Sequence, residues 1–176
     1  MSKLLLASAL CLAMTGAMSG QAPVELKVGD KAPEFSLPGT DGRTHRLADY
    51  KGRSVVVAWY PAAFTGGCTA ECKSFRDSGA VITSYDVAYF MASVDTPEKN
   101  AEFAKMEAAN FPMLSDPQKH VAAAYGVLNA RGVANRWTFY IGPDGTIQHI
   151  DKQVSVNTAG QDLAARLGAL NVKKKK

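Results

Sequence analysis

The chain has 176 residues, 47% hydrophobic and 20% charged, which suits one domain with a full apolar core and excludes a disordered or fibrous chain. Its formal charge of +4 resides in Lys173 to Lys176, because the other 16 basic residues balance the 16 acidic ones. No basic stripe with interleaved aromatics appears, so nucleic-acid binding has no support, and four terminal lysines suit a solvated, unstructured end.

The first residues carry the pattern of a targeting segment. Lys3 is a short positive start, and Leu4 to Met18 is apolar and small. Ala17-Met18-Ser19 suits cleavage after Ser19, with Ala17 and Ala22 as alternative cleavage points. The run is too short for a membrane span, so no membrane partner is implied. The expected division is a secretory signal at 1–19, a linker at 20–27, one folded domain at 28–170 and a basic tail at 171–176. Export would place the protein in the periplasm or outside the cell, whereas a retained segment leaves it cytoplasmic. Cleavage removes Cys11 and leaves Cys68 and Cys72, in a compartment where disulfides are common.

Glu34 to Leu37 reads as a short strand, and the turn formers Pro38 to Gly42 lead into a hairpin partner at Arg43 to Leu47. A helical turn ends at Gly52. Ser54 to Trp59 has no polar alternation after Ser54, as expected of a central strand covered on both faces. A helix is expected from Cys68 to about Thr83, then a second buried strand from Val87 to Val94. Thr96-Pro97 opens another helix, with Pro in the first turn behind a Thr cap. Phe111 to Leu114 is extended, and Asp116-Pro117 starts a helix that ends at Gly126. Trp137 to Ile141 and Thr146 to Ile150 flank Gly142-Pro143-Asp144-Gly145 as a hairpin, and Asn157 caps a last helix through Leu167. That order describes an α/β, thioredoxin-like fold: a central mixed β-sheet flanked by helices, with an N-terminal β-hairpin extension.

The chemistry concentrates after the Ser54 to Trp59 strand, where Pro61, Thr65 and Cys68 stand at P-x-x-x-T-x-x-C spacing. A buried strand and a Gly-containing turn deliver Cys68 into the first turn of a helix. Unpaired N–H groups and the positive end of the macrodipole favour an anion there, so the thiol is a candidate thiolate nucleophile. Thr65 can set a hydroxyl beside the sulfur, the backbone N–H groups of Gly67 and Cys68 can meet developing charge, and Pro61 can screen the site from water.

This signature resembles that of the peroxiredoxins. The similarity extends through Ala32 to Phe35, Asp49 to Gly52, Phe75-Arg76-Asp77, Leu114 to Pro117, Ala124 to Val127 and Arg136 to Phe139. It covers roughly Val28 to Leu167 and resembles the bacterioferritin-comigratory-protein branch. The resemblance implies a thiol-dependent peroxidase that reduces hydrogen peroxide and organic hydroperoxides through a sulfenic acid on Cys68. It also implies a peroxidatic site of Pro61, Thr65, Cys68 and Arg136, recycled by a thioredoxin-like or other dithiol reductant, in a monomer or homodimer. Glu71 is expected to orient Arg136, with a plain helix-surface carboxylate as the alternative. Cys72 is either the resolving cysteine, in a disulfide with Cys68, or a buried bystander. Its spacing of four departs from the spacing of five common in that branch, and an intact helix cannot close an i,i+4 disulfide.

No phosphate loop, dinucleotide fingerprint or haem motif is present, and no cofactor is implied. His45, His120 and His149 stand apart in sequence, and no metal site is expected. Two rivals use the same pair of cysteines. A Sco-like copper chaperone would need His120 or His149 as a third ligand and leaves Pro61, Thr65 and Arg136 without a role. A thiol-disulfide oxidoreductase would want C-x-x-C at the helix start, where this chain has three intervening residues. Trp59 and Trp137 read as core residues flanking the site.

Overall fold

The computed structural model describes residues 25–175. The expected signal segment at 1–19 lies outside the described residues, as does most of the linker. Ser36–Pro38 (β1) and Thr44–Arg46 (β2) form an antiparallel hairpin followed by one 3-10 turn, Leu47–Tyr50. Ser54–Trp59 (β3), Val87–Ser93 (β4), Met113–Ser115 (β5), Thr138–Ile141 (β6) and Ile147–Asp151 (β7) make a five-stranded sheet in the order β5-β4-β3-β6-β7. β3 pairs parallel with β4 and β4 with β5, while β6 runs antiparallel to both β3 and β7. The helices are Gly66–Asp77 (α1), Gly79–Thr83 (α2), Pro97–Met106 (α3), His120–Ala124 (α4) and Ala159–Ala169 (α5). This is a thioredoxin fold with a hairpin extension, as its sequence implies.

Every residue of β3 and β4 is buried, and the two-residue period of the strands sends alternate side chains to opposite faces. Val56, Ala58 and Tyr60 join Phe75, Phe103, Leu163 and Leu167 in one core, beneath α1, α3 and α5. Val55, Val57 and Trp59 join Leu37, Leu47, Tyr125 and Phe139 in the other, beneath the hairpin and α4. Covering both faces of β3 fixes the point where it releases the chain, between Trp59 and α1. No helix among the described residues is long and apolar enough to cross a membrane.

Several expectations shift. The first strand begins two residues late, at Ser36. The helix expected from Cys68 to Thr83 starts at Gly66 and breaks at Ser78. Asn110 Nδ2 donates to the Arg76 carbonyl at the break (3.0 Å), and a Cβ on Gly79 would stand 2.9 Å from that same nitrogen. Asp116-Pro117 forms a turn closed by Lys119 N–H on the Asp116 carbonyl (2.9 Å), and the regular helix waits until His120. Thr158, not Asn157, precedes α5, and its hydroxyl donates to Asp162 (2.6 Å). The basic tail is docked: Asp86 N–H donates to the Lys173 carbonyl (2.7 Å) and Lys175 N–H to the Ser84 carbonyl (2.8 Å). The side chains of Lys173 to Lys175 stay exposed, so it is mainly backbone pairing that replaces the unstructured end that charge suggested.

Candidate active site

The chain leaves β3 at Trp59, and a turn through Pro61 reverses it into α1. Phe64 takes a left-handed conformation (φ 66°), an uncommon one for a residue with a Cβ, and packs edge-on against Phe103 at 5.3 Å between ring centroids. The turn is held from below. Asp95 accepts from Ala63 N–H (2.8 Å), Tyr60 donates its hydroxyl to Asn100 (2.7 Å), and Asn100 Nδ2 donates to Ser115 (2.8 Å). Asn100 is fully buried, and it occupies a position of α3 that helical spacing alone gives to the core-facing side with Phe103 and Ala104.

Thr65 is the N-cap of α1, and Cys68 is its third residue. The Thr65 hydroxyl donates to the Ala62 carbonyl (3.1 Å) and does not cap the helix. The N–H groups of Gly67 and Cys68 therefore keep their capacity to bind an anion at the positive end of the macrodipole. Pro61 is half-buried at the turn, and Thr65 is exposed.

Arg136 comes from the other direction. Because β6 is antiparallel to β3, the residues that precede β6 lie where β3 ends, and Trp59 N–H donates to the Trp137 carbonyl (2.9 Å) to fix them there. Arg136 Nη2 donates to Cys68 Sγ at 3.3 Å, and Nη1 pairs with Glu71 Oε2. A Cβ on Gly67 would stand 3.3 Å from the same Nη2, so glycine gives the guanidinium its approach to the sulfur. Glu71 is fully buried. Burial pushes its carboxyl up, the Arg136 charge and hydrogen bond pull it back, and it settles at about 7, with Asp151 a further repulsive neighbour. Its second oxygen, Oε1, has no hydrogen-bond partner. Glu71 is thus no surface carboxylate. It pairs with Arg136 across the first turn of the helix.

Cys72 sits one turn further on, also fully buried, among Phe75, Phe103 and Ala104. Burial first, and the Glu107 carboxylate second, push its thiol up to about 12. Both thiols are free. The fold brings Cys68, Arg136, Glu71 and the Gly67 backbone together, sets Pro61 and Thr65 at the rim, and leaves Cys72 behind them. Asp95, Asn100 and Glu107 were not expected. Asn100 left a trace as a polar residue on an apolar helix stripe, whereas nothing local marks Glu107. Trp59 is a core residue, but Trp137 is only half-buried, with Lys152 Nζ 4.4 Å from the centre of its ring. His149 lies tilted against the Tyr140 ring, and His45 is bonded to Asp41 and Tyr50. Among the described residues no group of three His, Cys, Asp or Glu assembles into a metal-binding set, so the copper-chaperone reading lacks its third ligand.

Residues 28–150 match the AhpC/TSA family. A putative peroxiredoxin of Mycobacterium tuberculosis is 39% identical over 142 residues, covering 77% of this chain and 89% of its own. Peroxiredoxin Bcp of Escherichia coli is 38% identical over 132 residues, covering 71% of this chain and 85% of its own. Among solved structures, peroxidoxin BcpB from Mycobacterium tuberculosis superposes with a TM-score of 0.75 at 32% identity, over 83% of this chain and 99% of that one. With its sequence, fold and cysteine site in agreement, the chain belongs to the AhpC/TSA family and is a Bcp-like peroxiredoxin, a thiol-dependent peroxidase.

Proposed function

We propose that Cys68 is the peroxidatic nucleophile and that Arg136, Thr65, Pro61 and the first-turn backbone of α1 form its peroxide pocket. The observation that carries this reading is the Arg136 guanidinium, which spans Cys68 Sγ and Glu71 above an uncapped helix start. The Cys68 thiolate attacks the nearer peroxide oxygen, a S–O bond forms, and the O–O bond breaks. The leaving alkoxide or hydroxide takes a proton and departs as alcohol or water, with Cys68 left as a sulfenic acid. Arg136 and the N–H groups of Gly67 and Cys68 face the charge that develops on the oxygens. The Thr65 hydroxyl exchanges its Ala62 acceptor for the peroxide, and half-buried Pro61 walls the pocket without offering a donor.

Cys72 then resolves the sulfenic acid. Its thiol loses a proton, the sulfur bonds to Cys68 Sγ, and the hydroxyl leaves as water. Because the two cysteines are i and i+4, the first turns of α1 must unwind for the bond to close. A thioredoxin-like or other dithiol donor returns the disulfide to two thiols. Removal of segment 1–19 would set this cycle outside the cytoplasm.

Stopped-flow tryptophan fluorescence of the reduced protein mixed with hydrogen peroxide tests the assignment, with Cys68→Ser and Cys72→Ser run alongside and products identified by intact mass. A fast phase that Cys68→Ser abolishes is expected, followed by a slower phase that Cys72→Ser abolishes together with the loss of two hydrogens. A fast phase that survives Cys68→Ser would refute the nucleophile. A disulfide-free product in wild type would make Cys72 a bystander.

A further inference from the structure

Glu107 is a buried carboxylate that the peroxidatic site leaves unused. It follows the last residue of α3, is 7% exposed, and faces α1. Thr69 Oγ1 donates to its Oε1 (3.4 Å), Lys73 Nζ lies 3.6 Å from its Oε2, and Arg76 Nη1 donates to its backbone carbonyl (2.9 Å). Thr69, Lys73 and Arg76 are spaced four and three residues apart, so they form one stripe along α1. Thr69 directly follows Cys68, and Lys73 directly follows Cys72. One residue at the end of α3 therefore holds both of the turns that carry the cysteines.

The rest of α1 is clamped from another side. Gly160 of α5 donates its N–H to Ser74 Oγ (3.0 Å), and a Cβ on Gly160 would stand 2.2 Å from the Ser74 carbonyl oxygen. From Ser74 onward the helix has α5 packed against its backbone. The stretch free to unwind is Gly66 to Lys73, and Glu107 spans it.

We propose that Glu107 is a positioning residue, a latch from α3 that keeps the first two turns of α1 helical and so sets how fast Cys72 reaches the Cys68 sulfenic acid. This rests on the reading of Cys72 as the resolving cysteine. The reaction timed by the latch is Cys68–SOH plus Cys72–SH giving the Cys68–Cys72 disulfide plus water: the S–O bond breaks, the S–S bond forms, and the thiol proton leaves with the hydroxyl. Unwinding must part Glu107 from Thr69 and Lys73 before the sulfurs can meet. Peroxide attack needs no unwinding, so the latch slows the second step and leaves the first alone. A slow second step also leaves the sulfenic acid waiting for another peroxide, which carries it on to the sulfinic acid.

Two variants break the latch from opposite ends: Glu107→Gln removes the charge and keeps the shape, and Lys73→Met removes the exposed partner. Each is mixed with hydrogen peroxide in the fluorescence experiment, and the products are weighed after graded peroxide pulses. The expected result is a second phase accelerated about three- to tenfold in both variants, the scale of one net hydrogen bond or a partly screened ion pair. The first phase should be unchanged, and the disulfide should gain over the sulfinic acid at every peroxide dose. A merely structural role would lower the melting temperature without moving that product ratio. A disulfide that forms at the wild-type rate in both variants overturns the latch and leaves the resolving role of Cys72 standing. A disulfide absent from wild type and both variants overturns the resolving role, and the latch with it.

Discussion

Cys68 and Cys72 lie one helical turn apart, and both are closed to solvent, yet they face opposite chemistries. At Cys68 the helix start is uncapped, and a guanidinium reaches the sulfur. At Cys72 the wall is apolar, and the nearest charge that matters is the carboxylate of Glu107, so the thiol is pushed up to about 12. Burial alone therefore does not make two cysteines alike. The sign of the charge and the donors that share each enclosure set them apart.

The sharpest way to break this contrast is to take the guanidinium away. Arg136→Met should slow the peroxide-dependent first phase by about 10²- to 10³-fold, the usual loss when one preorganised donor is removed from developing charge. Arg136→Lys, which keeps the charge but not the fork that spans Cys68 and Glu71, should recover only part of it. A first phase unchanged in Arg136→Met would mean that the helix terminus alone activates Cys68, and the two cysteines would then differ only by their place in the turn.

Glu71 sharpens the comparison through pH. Its carboxyl is raised from an ordinary 4.5 to about 7, with burial as the main cause. A raised carboxyl means that the folded state holds its proton more tightly than the unfolded chain does. The stability it contributes is complete below about 4.5 and is lost as pH rises through about 7. Urea unfolding of wild type and Glu71→Gln between pH 4.5 and 7.5 should therefore show wild type losing on the order of 3 kcal/mol relative to the variant. Parallel pH profiles would place Glu71 in a wetter site than its burial implies. In the same range the first-phase rate of wild type should rise as Glu71 ionises and fixes Arg136, and Glu71→Gln should flatten that rise.

How much of this was legible in the sequence follows from the range of each interaction. β3 and β4 could be read because an unbroken apolar run needs no partner to be recognised, and the turn with Pro61, Thr65 and Cys68 could be read because its chemistry is local. Glu71 was legible as a partner for Arg136 because it lies one turn from Cys68. The break at Ser78 was not legible, since Asn110 supplies it from 34 residues away. Glu107 was hidden for the same reason: its Thr69 partner is 38 residues distant, and a lone Glu after a helix looks like any solvated carboxylate.

A third test addresses the clamped half of α1. Gly160→Ala would drive a Cβ into the Ser74 carbonyl, at 2.2 Å in the present backbone, so α5 must shift away from α1. The expected cost is about 1–3 kcal/mol, read as a lower denaturation midpoint. Because this clamp lies beyond Cys72, loosening it should lengthen the segment that can unwind and speed the disulfide phase less than opening the Glu107 latch does. Equal acceleration by both would mean that α1 unwinds as a whole.

The smallest effect is expected at the tail, far in sequence from both cysteines. Lys173 and Lys175 are joined to Asp86 and Ser84 by two backbone hydrogen bonds, and Lys174 Nζ lies 5.5 Å from the centre of the Tyr85 ring. These bonds are exposed, and the cation–π contact is solvated, so together they contribute about 1 kcal/mol. They brace the turn that enters β4, whose own residues are buried and held by β3. Truncation after Val172 should therefore lower the melting temperature by a few degrees, about 2–4 °C for a domain of this size, and leave both fluorescence phases at wild-type rates. If the truncation instead changed either phase, the entry to β4 would be coupled to α1 across the sheet, and the two cysteines would no longer answer only to the groups that touch them.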